Sequence, residues 1–187
     1  DFPELTFIGG GEESFGYMIS DFVRDKDAVT ATLLACEIAA FAKAKGSSFY
    51  KELLHAYTKY GFYKEYLISL VKKGISGSEE IAQMMKNLRE NPLKEIGGEK
   101  VTMIHDIQTS ISHIVATGKV STLNIPKSNV LIYYTENGTK IAARPSGTEP
   151  KIKFYFSANA PLSSIEAYEQ TRDALLAKIK QVTKEWN

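Results

Sequence analysis

Apolar residues at Val29, Leu33, Leu34, Ile38 and Phe41 recur every three or four positions. That spacing puts them on one side of an α-helix. Asp25 or Asp27 can cap its start, and Gly46 stops it after Lys45. A second, shorter helix fits 49–57, and Gly61 marks a boundary or hinge. Upstream, 5–8 read as the end of a strand. Gly9, Gly10 and Gly11 break it and introduce a loop through about Ile19.

From Phe62 the pattern changes. A strand is predicted over 63–71, then a turn over 74–78 with Ser76 or Ser78 as a helix cap. Ile81, Met84, Met85 and Leu88 form a helical stripe that Asn91-Pro92 ends. Residues 101–107 read as a strand and 108–129 as irregular. Segments 130–135 and 139–143 flank Asn137-Gly138, the signal of a two-residue hairpin. Ile152, Phe154 and Phe156 alternate with Lys153, Tyr155 and Ser157, as in a strand with one buried face. Ser163 and Glu166 have capping-box spacing before a last helix, whose stripe is Ile165, Tyr168, Leu175, Leu176, Ile179, Val182 and Trp186. The second part is therefore an α+β layer, an antiparallel sheet with helices on one face. There is no internal repeat and no low-complexity segment.

Composition narrows the function classes. Of 187 residues, 43% are hydrophobic, enough for a core without a metal or disulfide staple. A net charge of +1 gives no electrostatic case for nucleic acid or for an anionic membrane. No apolar run is long enough to span a bilayer. The single cysteine, Cys36, lies among small and apolar residues and reads as core rather than as a nucleophile. A reducing cytoplasm fits one cysteine. His55 and His105 have no metal-ligand spacing with each other or with Cys36. The chain starts Asp-Phe-Pro-Glu, running from a strand into a loop, which is the expectation for a fragment of a longer protein.

Two loops carry candidate chemistry. The first is Gly10-Gly11-Glu12-Glu13-Ser14-Phe15-Gly16. A carboxylate can accept hydrogen bonds from adjacent hydroxyls, and a serine two residues on adds a donor and an acceptor. Neighbouring sugar hydroxyls fit that pattern, although a glycine loop with solvated glutamates is the simpler reading of these residues alone. The second is Arg144-Pro145-Ser146-Gly147-Thr148-Glu149-Pro150. Arg144 offers a planar fork of donors suited to phosphate, and Ser146 and Thr148 add hydroxyls. Gly147 lets backbone N–H groups approach an anion, while the prolines stiffen both ends. This density of donors favours phosphate binding over a structural turn.

Together the two heptapeptides resemble the α-D-phosphohexomutases, the family of phosphoglucomutases and phosphomannomutases. Gly-Glu-Glu-Ser-Phe-Gly is similar to the family's sugar-specificity loop in its glucose-type form, and Arg-Pro-Ser-Gly-Thr-Glu-Pro to its phosphate-binding loop. Their order and separation agree with the family, as does the segment from Phe22 through Lys26 to Ala28. The resemblance implies four domains, with 1–58 similar to the end of the third and 59–187 to the fourth. The fourth has a TATA-binding-protein-like fold, which implies no DNA binding.

By the family's pattern Glu12 and Ser14 contact sugar hydroxyls, and Glu13 is structural. Lys26 matches a lysine that reaches the ligand, with one extra residue before it. Arg144, Ser146, Gly147 and Thr148 hold the phosphate that is not being transferred. The implied reaction is phosphoryl transfer between the 1- and 6-positions of a hexose phosphate, through a phosphoserine and a bisphosphorylated sugar. The full-length enzyme would use Mg2+ and glucose 1,6-bisphosphate, with the missing N-terminal domains and a phosphosugar as partners. The family's phosphoserine loop and its Asp-Gly-Asp metal loop are absent from this sequence. Ser112-His113 lacks that motif's surroundings and reads as ordinary. The chain alone is therefore expected to be inactive, with no catalytic and no metal-binding residue. A free-standing phosphosugar-binding module is the alternative. Within the family Gly-Glu-Glu-Ser favours glucose-type substrates, while phosphomannomutase and phosphopentomutase relatives share much of the framework, so mannose and pentose phosphates stay open as substrates.

Overall fold

The structure is a computed structural model and describes residues 5–12, 15–72, 74–184 and 186. The chain divides into two compact units, Asp1–Ala56 and Tyr57–Asn187.

In the first unit, β1 (Gly9–Gly11) pairs antiparallel with β2 (Tyr17–Ile19), Gly10 facing Met18. The glycines thus form a strand where the sequence suggests a break. The reason is space: a Cβ on Gly11 would lie 2.8 Å from the Tyr17 ring. Helix α1 (Ala28–Ala44) starts at Asp27, whose carboxylate accepts from the backbone N–H of Val29 and Thr30, both at 3.1 Å. Hydrogen bonds from Thr30 and Val29 hold that carboxyl below its ordinary range. Helix α2 (Phe49–Tyr60) runs three residues beyond its predicted end. The apolar stripe of α1 is not buried: Val29, Leu33 and Phe41 are exposed, and Ala42 is the helix's buried residue. Cys36 is exposed as well, against the expectation that it lies in a core. Among the described residues of this unit, nothing covers that side of α1.

The second unit is an antiparallel sheet with two helices. Its strands are β3 (Phe62–Val71), β4 (Glu95–Ile96), β5 (Glu99–Asp106), β6 (Ile111–Ile114), β7 (Lys119–Thr122), β8 (Leu131–Thr135), β9 (Lys140–Pro145) and β10 (Lys151–Ala160). They lie in the order β3-β10-β9-β8-β5-β6-β7, with β4 pairing β5. The helices are α3 (Gly74–Glu90) and α4 (Tyr168–Thr183). This is the α+β class that the sequence predicts.

Four local expectations change. The 108–129 segment contains β6 and β7. All four residues of β7 are exposed, so no hydrophobic alternation advertises it. The Asn137-Gly138 turn is a three-residue loop over 136–138. Gly138 alone is left-handed, with φ 77°, and Thr135 N–H donates to the Thr139 carbonyl at 3.0 Å. Residues 74–78 are the first turns of α3 rather than a turn before it. Gly77 makes this possible, since a Cβ there would sit 2.7 Å from Lys72 Cβ. The Ser163–Glu166 capping box does not form. Leu162 is drawn into the core, and α4 begins only after Ala167, which makes no side-chain cap.

The core follows the period-two pattern of β10. Ile152, Phe154 and Phe156 are fully buried on one face, against Ile81 and Met85 of α3 and Leu175, Ile179 and Val182 of α4. Trp186 closes on Phe154 with ring centroids 4.6 Å apart. Tyr133 is buried on β8, and its hydroxyl donates to the Leu88 carbonyl at 2.8 Å. Burial pushes its phenol up to about 12. Two charged pairs are largely withdrawn from solvent: Lys178 Nζ lies 2.8 Å from Glu99 Oε1, tying α4 to the start of β5, and Arg89 Nε lies 3.1 Å from Asp106 Oδ2, tying α3 to the end of that strand.

Candidate functional site

The first loop is the tip of the β1–β2 hairpin. Glu12 N–H donates to the Gly16 carbonyl at 3.0 Å, and Phe15 N–H to the Glu12 carbonyl at 3.2 Å. The closing residue, Phe15, is left-handed at φ 63°, which costs a bulky L-residue about 1–2 kcal/mol. Asp27 N–H donates to the Tyr17 carbonyl at 2.8 Å, and this bond brings the start of α1 back beside the hairpin. As a result Lys26 Nζ lies 3.5 Å from Glu12 Oε1 and 3.9 Å from Asp25 Oδ1. The sequence places Glu12 and Lys26 fourteen positions apart; the fold makes them neighbours around an open pocket of ≈ 370 Å3. Gly16 permits that convergence, because a Cβ there would lie 2.6 Å from Glu12 Oε1 and 2.4 Å from Lys26 Cδ. Ser14 and Glu13 lie outside the described residues.

The second loop joins β9 to β10. Pro145 pairs with Ile152 and Arg144 with Lys153, so both ends of the loop are fixed in the sheet. Ser146 N–H donates to the Lys151 carbonyl at 2.8 Å. The Ser146 hydroxyl oxygen accepts from Thr148 and Glu149 N–H at 3.4 and 3.3 Å. The serine therefore shapes the loop in this structure, and its hydroxyl proton is still available to donate. Nothing lies within 4 Å of a Cβ built on Gly147, leaving its backbone open. Arg144, Ser146, Gly147 and Thr148 meet around a pocket of ≈ 340 Å3.

Two further residues line the same pocket, Lys151 and Lys153. The sequence reading does not single them out, although strand alternation puts both opposite Ile152 and Phe154, on the face of Arg144. Lys151 pairs with Glu149 at 2.6 Å, and that bond and charge hold the Glu149 carboxyl below its ordinary range. Arg144 and Lys153 are like charges directly opposite on neighbouring strands, an arrangement that destabilises a sheet in the absence of a counter-charge. Glu149 supplies a counter-charge here, its carboxyl lowered by the Lys151 bond and charge and further by the charge of Lys153. Among the described residues no group of three or more His, Cys, Asp or Glu could hold a metal ion. Each loop sits in its own unit.

A family model for domain III of the phosphoglucomutases and phosphomannomutases, an alpha/beta/alpha domain, matches residues 3–57. The phosphoglucomutase of Staphylococcus aureus strain USA300 is 41% identical over 150 residues, covering 80% of this chain and 27% of that protein. That of strain MRSA252 is 40% identical over 150 residues with the same coverage. The chain thus spans about a quarter of the length of the curated relatives it matches. In fold it is similar to the open form of pp63/parafusin, a phosphoglucomutase from Paramecium. The TM-score is 0.52 at 19% identity, over 92% of this chain and 30% of that one. With both loop motifs in place and these likenesses, the chain belongs to the phosphoglucomutase/phosphomannomutase family.

Proposed function

We propose that the chain is the substrate-binding C-terminal part of a phosphohexose mutase interconverting hexose 1-phosphate and 6-phosphate, with glucose as the sugar. In this reading residues 1–58 complete the third domain and 59–187 form the phosphate-binding fourth. Glu12, Ser14 and Lys26 bind the sugar. Arg144, Ser146, Gly147 and Thr148, with Lys151 and Lys153, hold the phosphate that stays in place. The observation that supports the reading is the pocket of the second loop, where Arg144, Lys151 and Lys153 line one wall together with Ser146, Gly147 and Thr148. A fixed anion grip at one end and hydroxyl recognition in the middle let one site hold a bisphosphorylated sugar in either orientation. Positioning and charge stabilisation then do most of the catalysis.

The phosphoserine, and the Mg2+ that neutralises phosphoryl charge in such enzymes, belong to N-terminal domains in this reading. The same applies to activity: the 187-residue chain alone is expected to give no conversion of glucose 1-phosphate, and measurable conversion would overturn the division of labour. Among the described residues no helix is long and apolar enough to cross a membrane.

The phosphate site itself can be tested on this chain, because one seven-residue stretch and the strand beside it supply all the donors. Inorganic phosphate should bind with a millimolar dissociation constant, about 4 kcal/mol, since the sugar contacts are lacking. NMR shifts should centre on Ser146, Gly147 and Thr148, and Arg144→Ala should abolish them. Shifts scattered over the surface, or indifferent to that substitution, would mean that the loop is only a turn.

A further inference from the structure

The second unit has a further cavity, of ≈ 820 Å3, that shares no lining residue with either loop pocket. It lies between the end of α3, the turn after β5 and the loop that leads into β8. Arg89 lines it and is held from two sides: Nε donates to Asp106 Oδ2 at 3.1 Å and Nη2 to Asn129 Oδ1 at 2.7 Å. Asp106 Oδ1 also accepts from Gln108 N–H at 3.1 Å, so one carboxylate fixes both the arginine and the turn. Ile107 N–H donates to the Val130 carbonyl at 3.0 Å and Leu123 N–H to the Ser110 carbonyl at 2.8 Å, which ties the turn to the loop. The walls are therefore preformed. A guanidinium carries five N–H donors, and the two bonds to Asp106 and Asn129 leave three of them for a ligand. Lys86 and Lys127 join Arg89 on the lining, against one carboxylate, Glu90. Glu90 lies 3.8 Å from Lys86, and Asp106 balances Arg89, whereas Lys127 makes no ion pair among the described residues. Gln108, Thr109 and Asn129 add hydrogen-bonding side chains, and the buried Met85 adds an apolar surface. The cavity is on the helix side of the sheet. Ala143 is buried on that side with Met85, so Arg144, the next residue along β9, faces the other way.

We propose that this cavity binds a phosphomonoester on a ring body with hydrogen-bonding groups, the chemistry shared by sugar monophosphates and nucleoside monophosphates. The fixed Arg89 fork and the unpaired Lys127 charge suit one phosphoryl group. Gln108 and Asn129 carry carboxamides that both donate and accept, and with the Thr109 hydroxyl they match ring hydroxyls or the edge of a base. Met85 gives the ring an apolar surface to lie on. The volume falls in the range of ligand cavities, roughly 300–1,000 Å3, and is far larger than inorganic phosphate needs. More than one phosphoryl group fits poorly. Glu90 stands on the lining, and the C-terminal carbonyls of α3 bring further negative potential to the same end. The ligand differs in this from a bisphosphorylated sugar.

The test is NMR titration of this chain with AMP, ribose 5-phosphate, adenosine and inorganic phosphate. AMP should shift the backbone amides of Gln108, Thr109 and Asn129 and the methyl of Met85. Adenosine and inorganic phosphate should each bind this cavity about tenfold more weakly, since each offers only part of the ligand. Ribose 5-phosphate equal to AMP would assign the site to sugar phosphates; AMP the tighter would assign it to nucleotides. Arg89→Ala would orphan the Asp106 carboxylate and endanger the fold, so the charge is removed at Lys127, on an exposed loop. Lys127→Ala should weaken AMP binding about five- to tenfold, the loss of one charge-assisted contact. Arg144→Ala should leave AMP binding unchanged. Shifts confined to Ser146, Gly147 and Thr148, or abolished by Arg144→Ala, would place AMP on the second loop and overturn the site. Phosphate binding as tightly as AMP, or Lys127→Ala without effect, would overturn it as well.

Discussion

Replacing Lys178 by alanine is expected to lower the unfolding free energy by about 3 kcal/mol at pH 7. The partner it abandons, Glu99, has a side chain only 10% exposed, and Lys178 itself is 22% exposed. Burial alone would push the Glu99 carboxyl up. Hydrogen bonds from Lys178 and Thr135, together with the Lys178 charge, more than offset this and hold it below its ordinary range. A depressed folded-state value contributes stability above the unfolded value, and that contribution is lost as the pH falls through the folded one. In the variant the Lys178 bond and charge are gone while the Thr135 and Thr139 bonds remain, so the carboxyl should titrate higher than in the parent. The stability that Glu99 contributes at neutral pH is then smaller. The gap between the two proteins should therefore be widest at neutral pH and narrow towards about pH 4.3, the value of an unperturbed glutamate.

Urea unfolding at pH 7 and at pH 4.5 measures both points. Lys178→Met keeps the aliphatic stem and should show the same pH dependence, separating charge from packing. Combining it with Glu99→Gln should recover most of the loss, because a buried pair removed as a whole leaves no orphan charge. A penalty equal at both pH values would mean that Lys178 acts through packing alone.

The second large effect is expected on activity. In the complete enzyme, Glu12→Ala should cost on the order of 2–3 kcal/mol in transition-state binding, about 30- to 150-fold in kcat/KM. The carboxylate is a charged acceptor at a site proposed to hydrogen-bond its ligand, and its removal also takes from Lys26 its 3.5 Å partner. Glu12→Gln retains one acceptor oxygen and should lose less. Inhibition by inorganic phosphate, which reports the second loop, should not move in either variant. An unchanged kcat/KM in Glu12→Ala would reduce Glu12 to a loop residue.

Where burial and period coincide, the sequence is readable. Ile152, Phe154 and Phe156 alternate with polar residues and form the centre of the core. Ile81 and Met85 lie on a helical stripe and pack where the stripe predicts. Asp27 caps α1 by the geometry its residue type favours. Legibility fails where a segment has no contrast between its faces. The exposed β7 offers no alternation, and its pairing is set by backbone bonds to β6 and by Gly118, left-handed at φ 67°. The Gly97-Gly98 turn between β4 and β5 was available as a signal, with φ 58° and 82°, but the strand on one side is two residues long. α1 fails in another way: its stripe is real, yet local periodicity says nothing about what covers it. In the candidate site, the loop donors were legible as composition. The nearness of Lys26 to Glu12 was not, because it depends on a backbone bond from Asp27 to Tyr17.

The pairing of β3 with β10 has a consequence for how the chain is made. Strand β3 ends at Val71 and its partner among the described residues begins at Lys151, with all ten residues from Phe62 to Val71 matched between them. During synthesis β3 must therefore wait for some 80 further residues, on the order of 4–16 s at ribosomal speed. Through that interval it is an apolar strand with both edges open, the kind of segment that chaperones hold and that otherwise self-associates. Lys64 and Glu65 lie inside it, and such charges are the gatekeepers that slow mispairing. The last strand to emerge is thus the one that commits the domain, and a stall in translation shortly before Lys151 would leave the most exposed intermediate.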